Sequence, residues 1–160
     1  KILDENNLKI DDIQDVIKSI EPLPGAQDYL NLLRKHFQII ILSDTFYEFA
    51  APLMVQLSYP TLFCHSLTVD ENKKITNYQL RQKDGKTKAV EALRSLNFKV
   101  IASGDSYNDT GMLKAAHKGI FFRPPKNVIK EFPQFPVTLD YEECFTQFIK
   151  FKKELEDKKI

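Results

Sequence analysis

Val100-Ile101-Ala102-Ser103-Gly104-Asp105-Ser106-Tyr107-Asn108-Asp109 is the stretch on which the reading of this chain turns. Its apolar start shows no alternation, the pattern of a strand buried on both faces, as in a parallel sheet covered by helices. The run then opens at Gly104 into two carboxylates and an amide. In open parallel sheets, ligands bind beyond the carboxyl ends of the strands. Asp105 would stand at that end, where Mg²⁺ takes oxygen ligands. Asp109, four residues on, is one helical turn away and can reach the same ion directly or through water. Asn108 offers its amide to a phosphate oxygen. The rival reading is a tight turn with a capping aspartate, and the crowding of polar groups in so few residues argues against it.

Working outward, a second apolar run, Phe37-Gln38-Ile39-Ile40-Ile41-Leu42, opens into Ser43-Asp44-Thr45. Ser43 can donate its hydroxyl to a phosphate oxygen, and the first amides of a helix starting near Phe46 would point the same way. The alternative is that Ser43 merely caps that helix. A phosphate and a metal also call for a fixed cation. Lys86, after Gly85 at the start of a helix, is the leading candidate, with Lys83 and Lys88 competing. His36, His65 and His117 have no mutual spacing of a metal site or triad and read as structural or surface residues. Phe132, Phe135 and the nearby prolines read as core closure, and the tail 150–159 as a solvated helix face.

The remaining pattern is helix and strand in alternation. A helix within residues 1–20 carries an Ile13, Val16, Ile17, Ile20 stripe, with Asp11 or Asp12 as its cap. Glu21-Pro22-Leu23-Pro24-Gly25 breaks the chain and is the best internal boundary. A helix with Tyr29, Leu30 and Leu33 follows, then the 37–42 strand and a helix over 46–57 despite Pro52. Residues 61–69 and 75–80 read as a hairpin. Then come a helix over 86–96, a strand over 98–103, a short helix over 108–116 and a strand over 119–122. A proline-rich segment, 124–136, precedes a last helix from about Tyr141. The fold class is α/β, a parallel sheet flanked by helices.

Bulk properties exclude several functions. A chain of 160 residues suits one domain with a sizeable core. Lys and Arg number 23 against 22 acidic residues, a net charge of +1, so nothing attracts nucleic acid or an anionic membrane. No apolar run approaches the roughly 20 residues of a membrane helix. Cys64 and Cys144 lack metal-ligand spacing and read as reduced thiols of a cytoplasmic protein.

Together these residues resemble the haloacid dehalogenase (HAD) superfamily. Ser43-Asp44-Thr45 looks like its second motif, Lys86 its third, and Gly104–Asp109 its fourth, in the family's order. Within it, the chain is similar to the phosphoserine phosphatases, closest to the branch that also passes phosphate to homoserine. Three longer runs carry that likeness: Ile41-Leu42-Ser43-Asp44-Thr45-Phe46-Tyr47-Glu48-Phe49, Tyr78-Gln79-Leu80-Arg81-Gln82-Lys83-Asp84 and Glu131-Phe132-Pro133-Gln134-Phe135-Pro136.

The resemblance implies a HAD-like Rossmannoid sheet with a β-hairpin insertion and a small helical cap. It implies attack by an aspartate on phosphoserine to give an aspartyl-phosphate, with a second aspartate as general acid and base. Mg²⁺ would be held by Asp105, with Asp109 supporting. Ser43 and Lys86 would hold phosphate oxygens, Asn108 would assist, and the backbone around Asp44 and Thr45 would face the amino-acid end. Lys86 and Asp105 would be the catalytic residues of this chain.

One departure stands out. No two aspartates lie two residues apart, so the family's first motif, Asp-x-Asp, is absent. The expectation is that it stands upstream of Lys1, that residues 1–20 are the end of the cap, and that residues 21–160 are a core lacking its central first strand. The chain by itself is then expected to be inactive. Rival readings are a phosphatase for another small phosphomonoester, and a non-catalytic fragment that binds phosphate or a partner strand. The open sheet centre also makes homo-oligomers an expectation.

Overall fold

The computed structural model describes residues 5–157. The chain divides into two compact units, Lys1–Gly85 and Lys86–Ile160. Residues 1–4 and 158–160, within the first-helix and tail readings, lie outside the described residues.

The first unit contains α1 (Ile10–Lys18), α2 (Ala26–Arg34), β1 (Ile40–Phe46), α3 (Tyr47–Gln56), β2 (Thr61–Val69) and β3 (Ile75–Gln79). Its sheet has the order β1-β2-β3, parallel between the first pair and antiparallel in the hairpin. Helix α1 packs on α3. Pro52 inside α3 lacks the N–H that would bond the Glu48 carbonyl one turn earlier. The Gln14 side chain on α1 supplies that donor instead, at 2.8 Å. This exchange lets α3 run through its proline. The Glu48 carboxylate in turn accepts the Leu67 N–H at 2.9 Å and ties α3 to β2. Asp70 closes the hairpin by accepting from the Asn72 and Lys74 amides at 2.9 and 2.8 Å.

The first-helix expectation needs correction. The N-cap is Lys9, and Asp12 acts from inside the first turn by accepting the Lys9 N–H at 2.8 Å. Ile10 is the buried residue, whereas Val16 and Ile20 are 64% and 52% exposed. The periodic stripe is real, but its far end stays exposed.

The strand read over 37–42 starts and ends later. The Phe37 and His36 amides still bond the Leu33 carbonyl, so the start of the apolar run belongs to the end of α2. Pairing then begins at Ile40↔Thr61 and continues to Leu42↔Phe63, after which Phe46 faces His65. Three residues of β1, Ser43, Asp44 and Thr45, therefore stand against Cys64 alone. They form a bulge, not a loop after the strand.

The second unit contains α4 (Gly85–Ser95), β4 (Ile101–Gly104), a 3₁₀ turn (Tyr107–Asp109), α5 (Thr110–Ala115), β5 (Lys118–Phe122), α6 (Lys126–Glu131), β6 (Val137–Thr138) and α7 (Tyr141–Glu156). The order β4-β5-β6 is parallel throughout. Its core is Ile120, Phe121, Leu113, Val128 and Cys144, each at most 1% exposed. Helix α5 packs on β4 and β5, and α7 on all three strands. Phe98, read as strand, instead closes α4 through a bond from its N–H to the Leu93 carbonyl, with Asn97 at φ 65°.

The proline-rich segment hides α6 and β6. Pro125 is the N-cap of α6, a place where a missing N–H costs nothing, and Val128 buries the helix. Phe135 packs edge-on to Phe121, 5.4 Å between ring centres, and closes the core as read. The tail is not wholly solvated: Phe151 is buried, and Glu154 pairs with Lys118 at 2.5 Å. Both cysteines are free and buried. Among the described residues no helix is long and apolar enough to cross a membrane.

Candidate active site

Asp109 organises the second unit's loop. Its Oδ2 accepts from the Asp105 amide at 3.0 Å, the Ser106 amide at 3.2 Å and the Ser106 hydroxyl at 3.1 Å. Its Oδ1 takes the Lys86 ammonium at 2.9 Å, with the two side chains only 8% and 16% exposed. Burial by itself would raise the Asp109 carboxyl, but Lys86 and the loop donors together hold it below the ordinary carboxylate range. The capping alternative is thus partly true, since Asp109 does close a turn, and the same carboxylate pairs with a part-buried lysine.

Two glycines make this packing possible. A Cβ on Gly104 would stand 2.4 Å from the Asp109 Cβ, so only glycine allows the carboxylate to fold back over the strand end. A Cβ on Gly111 would stand 2.5 Å from the Thr87 hydroxyl, so α4's first turn reaches α5 there and brings Lys86 with it. Of the competing lysines, Lys88 pairs with Glu91 on a half-exposed surface, and Lys83 is exposed.

Asp105 is exposed at the strand end, and Asn108 is exposed on the 3₁₀ turn. Water displaced by the loop, then the adjacent Asp109 carboxylate, pushes the Asp105 carboxyl above its usual range, while its own amide and Lys86 pull the other way. Two crowded carboxylates with oxygen-only donors suit a hard divalent cation, which would relieve their repulsion. The Asp109 oxygens are already engaged by four donors, so Asp105 is the side chain better placed to bind an ion directly. Among the described residues no group of three His, Cys, Asp or Glu side chains forms a complete metal cage.

In the first unit, Ser43 reaches along its own bulge. The Ser43 hydroxyl accepts the Thr45 N–H at 3.3 Å. The N-cap of α3 is Phe46, with no side-chain cap, so Ser43 does not cap that helix. Beneath the bulge, burial and then the Glu48 charge push the Cys64 thiol up to about 11, leaving it protonated and inert. Phe46 leads an aromatic group with Phe49, His65 and Tyr78 at 5.7, 6.0 and 6.3 Å between ring centres. Thus Lys86, Asp105 and Asp109 are brought together within one unit, with Asn108 on the same turn, and Ser43, Asp44 and Thr45 lie in the other. The sequence reading missed Ser106 and Gly111; the hydroxyl next to Asp105 and the glycine two residues past Asp109 were the available signals.

Comparison with known proteins identifies the family. A model of the haloacid dehalogenase-like hydrolases matches residues 2–117. The phosphoserine phosphatase ThrH of Pseudomonas aeruginosa is 55% identical over 150 residues, covering 94% of this chain and 73% of that protein. A phosphoserine phosphatase of Pseudomonas syringae pv. tomato is 55% identical over the same length, and this chain spans 63% of it. Among solved structures, one described as a phospho-aspartyl intermediate analogue of phosphoserine phosphatase aligns with a TM-score of 0.71 at 22% identity, covering 88% of this chain and 70% of that one. The chain belongs to the haloacid dehalogenase-like hydrolases, an enzyme family. Its relatives there are phosphoserine phosphatases.

Proposed function

We propose that the protein containing this chain is a cytoplasmic, Mg²⁺-dependent phosphoserine phosphatase that can also pass the phosphate to homoserine. The part-buried Lys86–Asp109 pair beside Asp105 carries this reading, and the 55% identity to two phosphoserine phosphatases supports it. Lys86, held by Asp109, presents a fixed positive charge to phosphate oxygens and to a developing negative charge. Ser43 donates its hydroxyl to another phosphate oxygen, and Asn108 its amide. The backbone at Asp44 and Thr45 faces the amino-acid portion.

Asp105 would hold the metal, with Asp109 adding charge and supporting it directly or through water. Bound Mg²⁺ supplies neutralisation of the phosphate and orientation of the attacking group. The nucleophile we assign is an aspartate outside these residues, with a second aspartate two positions on as general acid and base. Residues 1–20 are then the end of a cap, and residues 21–160 a core that receives its first strand from elsewhere.

The test is phosphate release by the full-length protein from phosphoserine against a panel of small phosphomonoesters, with Mg²⁺ and with chelator. Selective, chelator-sensitive release from phosphoserine is the expected result. Phosphohomoserine formed on adding homoserine would establish the transfer. Preference for another ester would shift the substrate, and no release from any ester would end the enzyme reading.

A further inference from the structure

The run Glu131-Phe132-Pro133-Gln134-Phe135-Pro136 has no role in the chemistry above, yet it sits against the loop that does. The Tyr107 hydroxyl, between Asp105 and Asp109 in sequence, donates to the Glu131 carboxylate at 2.6 Å. The Tyr107 ring stands edge-on to Phe132, 6.0 Å between centres. Lys114, on the helix that continues from Asp109, lies 4.5 Å over the Phe132 ring. Thr110 fixes the Tyr107 carbonyl at 2.8 Å. Asp109 therefore holds the loop from inside, and the end of α6 holds it from outside.

The geometry points to Tyr107 and Glu131 as a positioning latch that sets the direction of Asp105, and so the strength and placement of the divalent cation. This rests on the metal reading above. Neither residue touches the reacting atoms; both act through the backbone of Gly104–Asp109. Outer partners that orient a metal ligand commonly change metal affinity about tenfold or more when removed. A half-exposed latch one residue further out belongs at the lower end of that range, since Tyr107 is 44% exposed.

Two measurements on the full-length protein test this: Mg²⁺ affinity by calorimetric titration without substrate, and amide exchange across Gly104–Asp109. Tyr107→Phe and Glu131→Ala should each weaken Mg²⁺ binding about fivefold to tenfold. They should also speed exchange at the Ser106 and Asp109 amides. Glu131→Gln, which keeps an acceptor, should restore part of the affinity. The Tyr107→Phe/Glu131→Ala double variant should be no worse than the weaker single, because the two residues form one contact. At saturating Mg²⁺ the KM for phosphoserine should stay near that of the unaltered protein. Single variants that bind Mg²⁺ within about twofold of it, or strictly additive losses, overturn the latch. If the unaltered protein takes up no Mg²⁺, the metal reading has failed, and the exchange data alone decide whether Tyr107 and Glu131 hold the loop.

Discussion

The two strand ends that carry this chain's polar motifs are built differently. At the end of β4, one carboxylate accepts from the Asp105 amide, from both donors of Ser106 and from Lys86, within a space that only a glycine neighbour permits. Toward the end of β1, within the Ser43–Thr45 bulge, the Thr45 amide donates to the Ser43 hydroxyl at 3.3 Å. One loop is fixed by its own side chains before any ligand arrives. The other is shaped by a register shift against Cys64 and leaves its hydroxyl available. Preorganisation matters most where charge must be held in place, and a hydroxyl that meets a phosphate can adjust as it binds.

The largest effect should follow from breaking the fixed loop. Asp109→Ala removes four accepted bonds from the loop, one of them the charged bond from Lys86, a cost of about 3 kcal/mol in unfolding free energy. Activity of the full-length protein should fall by roughly three orders of magnitude. Denaturant melts and phosphate-release assays check both. A loss of stability below about 0.5 kcal/mol would mean the loop is held by something else.

Ser43→Ala should separate function from stability. Unfolding should change by less than about 0.5 kcal/mol, while the KM for the phosphate ester rises about tenfold, the value of one hydrogen bond to a charged group. Equal destabilisation by Ser43→Ala and Asp109→Ala would erase the contrast between the loops.

The smallest effect lies at the other end of β4 and β5. The His117 Nδ1 accepts the Val100 N–H at 3.1 Å, while the His117 N–H bonds the Val100 carbonyl. Burial, then the charges of Arg94 and Lys99, holds the imidazole below its ordinary value of 6.5. The unfolded chain therefore takes up the proton first as pH falls below about 6.5, so stability declines with acidification until the folded imidazole also titrates. His117→Asn keeps an acceptor without a titrating proton. It should flatten that acid slope below about pH 6.5 and leave stability at pH 8 little changed. An unchanged slope in pH-dependent melts would assign the acid sensitivity to other groups.

Much of the Gly104–Asp109 loop was legible along the chain because it is local. Gly104–Asp109 spans one turn, so the spacing of Asp105, Asn108 and Asp109 already implies a shared turn. Lys86 was narrowed to one of three candidates, and the pairing with Asp109 separates it from Lys83 and Lys88 across 23 residues. Apolar runs without alternation marked the parallel strands, but not their ends. Helix-terminal bonds claim Phe37 and Phe98, and propensity carries no trace of that. The prolines concealed α6, since a proline before a helix and a proline inside a loop look alike until Val128 is seen to be buried.

By itself the sequence determined the α/β class, the HAD resemblance and the residue types at each strand end, because these rest on short-range order and on hydrophobic pattern. Tertiary structure alone decided that Ser43 lies on a bulge and caps nothing, and that Asp109 is the hub of its loop. It also decided that Glu131, far along the chain, reaches back to Tyr107. Each of those depends on register or on contact between residues distant in sequence, which a one-dimensional pattern does not encode.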